Sequence, residues 1–122
     1  MEISHFLQDY LIVTLAKCGA LEEALRALNQ VGKGTLFSYT AMISCYHEYG
    51  LNQEAFSMYE MMQRNGIEPD RHTFVSLIRI CSSCRDLRKG RELHNEADRR
   101  GLGLDMFVGN SLVSMYGKCR SI

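Results

Sequence analysis

The sequence predicts an all-α fold, an α–α superhelix (solenoid) of stacked helix-turn-helix repeats. Three observations predict it: apolar residues recur at helical spacing, the pattern returns about every 35 residues, and no segment alternates apolar and polar residues as a strand would. A single proline and ten scattered glycines fit helices that are separated by short turns.

The repeat is visible when the segments that begin at His5, Leu36, Arg71 and Met106 are aligned, and places within a repeat are counted from these residues. The seventh, eighth and eleventh places are apolar, and this spacing puts them on one stripe of a helix. Those residues are Leu11, Ile12, Leu15, Met42, Ile43, Tyr46, Leu77, Ile78, Cys81, Leu112, Val113 and Tyr116. Because one helix pair cannot bury its own stripe, successive pairs are expected to stack.

The stripe marks the first helix of each pair, and residues 21–28 show the apolar i, i+3, i+4, i+7 face of a second helix. Gly19 and Gly50 suit the left-handed residue that closes a helix, and Pro69 cannot continue one. The predicted helices lie near residues 8–18, 21–31, 38–49, 52–65, 73–83, 87–100 and 107–118.

Composition limits the classes of function. Fourteen basic residues balance fourteen acidic ones, which is unusual for a nucleic-acid-binding protein, although a neutral molecule can still have a locally basic groove. No phosphate-binding loop, HExxH motif or paired carboxylates are present, so no enzymatic activity is predicted. No apolar run is long enough to cross a membrane, and no targeting peptide is visible.

Five cysteines form an odd set, which favours a reducing compartment over a disulfide scaffold. Cys81 and Cys84 have the spacing of half a zinc site. However, Cys18, Cys84 and Cys119 all occupy the fourteenth place, and Cys81 is at an apolar eleventh place. We therefore expect buried thiols at repeat positions, with no metal and no cofactor.

The middle repeat, "LFSYTAMISCYHEYGLNQEAFSMYEMMQRNGIEPD", closely resembles a pentatricopeptide (PPR) repeat. The next, "RHTFVSLIRICSSCRDLRKGRELH", resembles the family's long variant, and "LAKCGALEEA" and "MFVGNSLVSMYGKC" resemble its short variant. The resemblance implies one repeat domain with a short repeat at 5–35, a standard repeat at 36–70, a long repeat at 71–105 and the first helix of a short repeat at 106–122. This order is similar to the mixed-type (PLS) plant subfamily.

In this family each repeat contacts about one base of single-stranded RNA. The resemblance implies that second-place residues stack on bases; these are Phe6, Phe37, His72 and Phe107. An alternative is that each phenylalanine fills the core between repeats. Thirteenth-place lysines contact phosphate in the family, which implies this role for Lys17 and Lys118, whereas Glu48 and Ser83 depart from the pattern.

The fifth and last places form the family's base-reading pair. Thr40 with Asp70 resembles the guanine-preferring combination. The alternative for Asp70 is an ordinary negative charge at a helix N-terminus. The remaining base-reading residues implied by the resemblance are Val75 with Asp105, where the fifth place is apolar; Asp9 with Thr35, an unusual combination; and Asn110, of pyrimidine type.

The middle repeat is acidic, with one basic and five acidic residues. The long repeat is basic, with eight basic and five acidic residues. Arg85, Arg88, Lys89 and Arg91 of the long repeat are expected on a solvated outer face. The RNA affinity of this chain is therefore expected to be weak and steeply dependent on salt.

The resemblance implies binding to an organellar transcript in a chloroplast or mitochondrion, in RNA processing or cytidine-to-uridine editing, with catalysis by a separate enzyme in trans. The alternative is a protein–protein interaction scaffold. Because the chain begins and ends within repeats, we expect a piece of a longer array that can self-associate through exposed apolar ends.

Overall fold

The computed structural model describes the backbone of residues 2–120 and the side chains of residues 7–120. Over these residues the chain is all-α, as predicted, with no strand and with no helix long and apolar enough to cross a membrane. The helices are α1 (Glu2–Lys17), α2 (Leu21–Val31), α3 (Leu36–Glu48), α4 (Asn52–Arg64), α5 (Arg71–Cys84), α6 (Leu87–Arg99) and α7 (Met106–Arg120). All seven predicted helices are present, and the largest difference is at α1, which begins at Glu2 rather than near residue 8.

The helices form two compact units, the first ending at Pro69 and the second beginning at Asp70. In the first unit α1 packs against α2 and α3, and α3 packs against α4. In the second unit α5 packs against α6 and α7, and α6 also contacts α7. Within each unit, the first helices of consecutive repeats are therefore direct neighbours, which is the stacking expected of a helical-repeat solenoid.

Side-chain caps determine where the first helices begin. The Thr35 hydroxyl accepts a hydrogen bond from the Ser38 backbone N–H (3.2 Å), and the Ser38 hydroxyl accepts one from the Thr35 N–H (2.9 Å). Asp70 and Thr73 form the same reciprocal capping box at the start of α5. Because these caps satisfy N–H groups that the first turn leaves unpaired, α3 and α5 each begin two residues before the predicted position.

The turns inside the repeats use left-handed residues. Gly19 (φ +88°) and Gly50 (φ +74°) have the predicted left-handed backbone. At the corresponding turn of the long repeat this conformation is taken by Arg85 (φ +55°), the one non-glycine residue with positive φ in the described chain. The chain therefore makes a similar turn there without glycine, although left-handed backbone is strained for a residue with a Cβ.

The predicted apolar stripe is largely confirmed, since ten of its twelve residues are buried or half-buried. The prediction is wrong for Leu11, which is 50% exposed, and for Val113, which is 74% exposed. Each lies on a side of its helix, α1 or α7, that the neighbouring helices of its unit do not cover. Helical periodicity identifies an apolar side, but only a neighbouring helix buries it.

Tyr39 joins three parts of the first unit. Its ring is completely buried, and its hydroxyl lies 3.3 Å from the Gly34 backbone nitrogen and 2.6 Å from Asn65 Nδ2, both of which donate to it. Gly34 precedes α3 and Asn65 follows α4. The single hydroxyl therefore fixes the entry to α3 against the end of α4.

Tyr39→Phe is expected to lower the free energy of unfolding by about 1–3 kcal/mol, because it leaves two donors near the core without their acceptor. Urea unfolding followed by circular dichroism measures the change. Tyr10→Phe is the matched control, since that ring is 70% exposed, and should change stability by less than about 0.5 kcal/mol. Equal effects of the two substitutions would contradict the structural role of the Tyr39 hydroxyl.

Candidate nucleic-acid interface

The second and fifth places of each repeat lie three residues apart at the start of a first helix, so their side chains share one face. The pairs are Phe37 with Thr40 on α3, His72 with Val75 on α5, and Phe107 with Asn110 on α7. Phe37 is 60% exposed and Phe107 is 57% exposed, and His72 is also exposed. Neither phenylalanine ring is therefore buried in the core of its own unit. The side chain of Phe6 lies outside the described residues.

The last-place residues sit immediately before the same helices. Thr35 and Asp70 are the N-caps of α3 and α5, and Asp105 accepts hydrogen bonds from the first-turn N–H groups of α7. The alternative expectation for Asp70, a negative group at a helix N-terminus, is thus borne out. A capping carboxylate or hydroxyl can also bond a base only if it has an oxygen lone pair or a proton that the cap does not use. Thr40 and Asp70 belong to different units, and their pairing remains a prediction.

The fifth and last places of the first repeat are in direct contact. The Thr35 hydroxyl donates to the Asp9 carboxylate, and its oxygen lies 2.9 Å from Oδ1 and 3.0 Å from Oδ2. Asp9 is half-buried and Thr35 is exposed, and both line a narrow recess between α1 and the loop before α3. The unusual combination that the sequence presents is therefore a formed side-chain pair.

The corresponding carboxylate of the long repeat, Asp105, bonds to a different residue. Its Oδ2 lies 2.8 Å from Arg71 Nη2, and its Oδ1 accepts from the N–H groups of Phe107 (2.9 Å) and Val108 (3.1 Å). The same guanidinium lies 5.1 Å from the centre of the Phe107 ring, a cation–π distance. Arg71 therefore links a last-place carboxylate to a second-place aromatic ring.

Arg71 has no role predicted from the sequence; it stands four residues before the apolar fifth-place Val75 on α5. Residues four apart share a helix face, so Arg71 projects from the same side of α5 as Val75. Val75 has no polar group, and Arg71 bonds Asp105 in its place. The Asp105 side chain is only 9% exposed as a result. The sequence does show an arginine at the first place and an acid at the last place of this repeat, which could have indicated an ion pair. Whether the two side chains meet depends on how α5 packs against α7.

The contacts of Asp105 lower the pKa of its carboxyl group. The largest cause is the hydrogen bond from the Val108 N–H, followed by the opposing effect of desolvation and then by the positive charge of Arg71. Each bond favours the ionised form, which is also the form that caps α7 most strongly.

The two lysines predicted to contact phosphate are exposed, Lys17 at the last residue of α1 and Lys118 near the end of α7. Their contact with phosphate remains a prediction. The basic cluster of the long repeat is on the surface, as expected, with Arg85, Arg88 and Arg91 exposed and Lys89 half-buried.

The expectation of buried thiols at the fourteenth place is wrong. Cys18 and Cys84 are exposed and Cys119 is half-buried, because this place falls at the end of a first helix, next to solvent. Cys81 is buried, as expected, and loss of solvation raises the pKa of its thiol to about 12. Within residues 7–120, no group of three or more histidine, cysteine or acidic side chains is placed to hold a metal ion.

The Arg71–Asp105 contact gives a pH-dependent prediction. Since folding lowers the pKa of Asp105, its contribution to stability is present above the unfolded value, near 3.8, and is lost as pH falls through the folded value. Arg71→Gln should raise the folded pKa towards, but not to, the unfolded value, because the backbone hydrogen bonds remain. An NMR titration of the carboxyl carbon measures this shift. Arg88→Gln, at an exposed arginine of the same unit, should leave the pKa unchanged; an unchanged value in Arg71→Gln itself would contradict the assigned contact.

Two protein-family models match this chain. A family model described as the PPR repeat family matches residues 35–83, and a second, described as PPR repeat, matches residues 72–102. Together they cover more than half of the chain.

Three similar proteins are pentatricopeptide repeat-containing proteins of Arabidopsis thaliana. One is 37% identical over 120 residues, which include 93% of this chain and 15% of the relative. A second, named as chloroplastic, is 34% identical over 112 residues, with 92% of this chain and 12% of the relative covered. A third, also named as chloroplastic, is 32% identical over 118 residues, with 95% and 22% covered.

The chain thus spans between 12% and 22% of the length of these relatives. The helix pairs, the repeat of about 35 residues and the matches along the sequence lead to the same assignment. The chain belongs to the pentatricopeptide repeat family.

Proposed function

We propose that this chain is a single-stranded-RNA-binding segment in which each repeat contacts about one base. The observation that carries the proposal is the exposure of the Phe37 and Phe107 rings at one repeat place. A large apolar ring held in solvent loses the stabilisation that burial would give it. Stacking against a base recovers that stabilisation, and every base offers a face to stack on.

The proposed roles follow the repeat places. Stacking is assigned to Phe6, Phe37, His72 and Phe107. Base reading is assigned to the pairs Thr40 with Asp70, Val75 with Asp105, and Asp9 with Thr35, and to Asn110. Phosphate contact is assigned to Lys17 and Lys118. The proposed repeats are a short repeat at 5–35, a standard repeat at 36–70, a long repeat at 71–105 and part of a short repeat at 106–122.

We further propose that the parent protein acts on transcripts in a plant organelle, because two of the compared relatives are named as chloroplastic. Mitochondrial action is the other organellar possibility. The proposed process is RNA processing or modification, for which cytidine-to-uridine editing is one example. This chain would supply recognition, and an enzyme acting in trans would supply catalysis.

Exposed apolar side chains favour a second candidate function, protein binding or self-association. Leu7 and Tyr10 on α1 are 63% and 70% exposed, and Leu104 before α7 is fully exposed. The zero net charge of the chain also weakens long-range attraction to RNA. Binding to RNA or its absence at low salt separates the two candidates.

Phe37→Ala should weaken binding to single-stranded RNA by about 1–3 kcal/mol, because one stacking platform is removed. Fluorescence anisotropy with labelled strands of about eight nucleotides measures the dissociation constant. The matched control is Tyr49→Ala, at an aromatic residue that is 54% exposed but follows the end of α3. Equal losses for the two variants would contradict a specific role for the second place.

Thr40→Asn should remove a preference for strands with a central guanine over strands without one, because the amide replaces the hydroxyl at the fifth place. The preference is measured as a ratio of dissociation constants at two salt concentrations. Affinity should fall steeply with salt while the ratio is retained. Failure of the unsubstituted chain to bind any strand at low salt would reject RNA binding and favour the protein scaffold.

A further inference from the structure

We propose that His47 binds a ribose 2′-hydroxyl of the RNA strand, so that the middle repeat distinguishes RNA from DNA. This inference rests on the proposed RNA-binding function and goes beyond it by assigning a contact to the twelfth place of a repeat. It is carried by the position of His47 on α3, by the burial of one of its ring nitrogens and by the charge of the next residue.

His47 lies on the side of α3 that presents Phe37 and Thr40. Seven residues separate it from Thr40, close to two full turns, so the two side chains leave the helix in nearly the same direction. Both are half-buried, whereas Met42 and Cys45 point away from this side into the core. The two residues are about 10 Å apart along the helix axis. A nucleotide whose base contacts Thr40 can therefore bring its sugar and phosphate towards His47.

The two ring nitrogens of His47 differ in their surroundings. Nδ1 is enclosed by the protein and has no hydrogen-bond partner within the described residues, whereas Nε2 is not enclosed in this way. A buried N–H without an acceptor is costly, and an unused acceptor lone pair is tolerated better. The neutral ring therefore has its proton on Nε2, which is the nitrogen that a ligand can reach.

A neutral N–H in an acidic repeat suits a hydroxyl better than a phosphate. Glu48 is exposed at the thirteenth place, where a lysine would attract phosphate. The middle repeat has one basic and five acidic residues, so a phosphate held there would meet charges of its own sign. A ribose 2′-hydroxyl has no charge, accepts a hydrogen bond through its oxygen and is absent from DNA. It is therefore the best-matched partner that the strand offers to the ring N–H of His47.

The twelfth place differs between the repeats. In the two repeats with a lysine at the thirteenth place, the twelfth place has no polar side chain: it is Ala16 in the first repeat and Gly117 in the fourth. The long repeat has Ser82 there, which is buried. The middle repeat reverses both features, with His47 followed by Glu48. The discrimination between RNA and DNA at this place is therefore expected at one nucleotide of the strand.

The test uses the 122-residue chain and RNA strands of about eight nucleotides. Each strand has a central guanine, and one ribose at a time is replaced by deoxyribose. One replacement, at the guanine or at a neighbour, should weaken binding about threefold to tenfold, the loss expected for one hydrogen bond. His47→Ala should abolish this sensitivity and leave the salt dependence of binding unchanged, because the contact involves no phosphate charge. Fluorescence anisotropy measures the dissociation constants.

Three further variants keep the result interpretable. His47→Gln places an amide N–H at about the reach of Nε2 and should retain the deoxyribose sensitivity, whereas the shorter side chain of His47→Asn should lose it. Gln63→Ala, at an exposed polar residue near the end of α4, is the control and should leave the sensitivity unchanged. Circular dichroism of every variant reports whether the helices are retained.

A strand series that binds the chain and tolerates every single deoxyribose replacement would overturn this inference and leave the proposed function standing. Retention of the deoxyribose sensitivity in His47→Ala would overturn it in the same way. Equal weakening of RNA and DNA binding by His47→Ala would indicate a phosphate contact and would also overturn it. Absence of binding to every strand would overturn the inference and the proposed function together.

Discussion

Each described first helix after α1 starts next to a polar side chain that accepts hydrogen bonds from its first turn. Thr35, Asp70 and Asp105 have this position before α3, α5 and α7. The first-turn N–H groups have no partner inside a helix, so the cap sets where the helix begins. Once the start is set, helical spacing places the second and fifth residues on one face beside the cap. The geometry of the candidate interface depends on this interaction.

The capping role also decides what each last-place residue can still offer. Asp105 uses its carboxylate on two backbone N–H groups and on Arg71, and little of it remains accessible. Thr35 accepts the cap hydrogen bond from the Ser38 N–H and donates its proton to Asp9, both of whose oxygens lie within 3.0 Å of the hydroxyl. Repeats that share a backbone arrangement therefore present different sets of donors and acceptors. In the proposed function, such differences would let one repeat prefer a different base from the next.

The chain has little positive charge with which the candidate interface could attract RNA. The chain is neutral overall, and the two lysines at thirteenth places stand against an acidic middle repeat. In the proposed function, stacking on exposed rings and short-range hydrogen bonds would supply base selectivity, and phosphate contacts of the two lysines would make the affinity depend on salt. Recognition of this kind favours base selectivity over tight nonspecific binding.

The sequence by itself determined the all-α class, the seven helices and the left-handed turns at Gly19 and Gly50, because periodicity and turn chemistry are local properties. It also placed Phe37 and Thr40 on one helix face, since their spacing suffices for that. Only the tertiary structure decided that Val113 is exposed and that Arg71 bonds the last-place acid of its repeat. Burial and side-chain pairing depend on which helices pack together. The spacing of residues along one helix gives no information about the residues of the helix that packs against it.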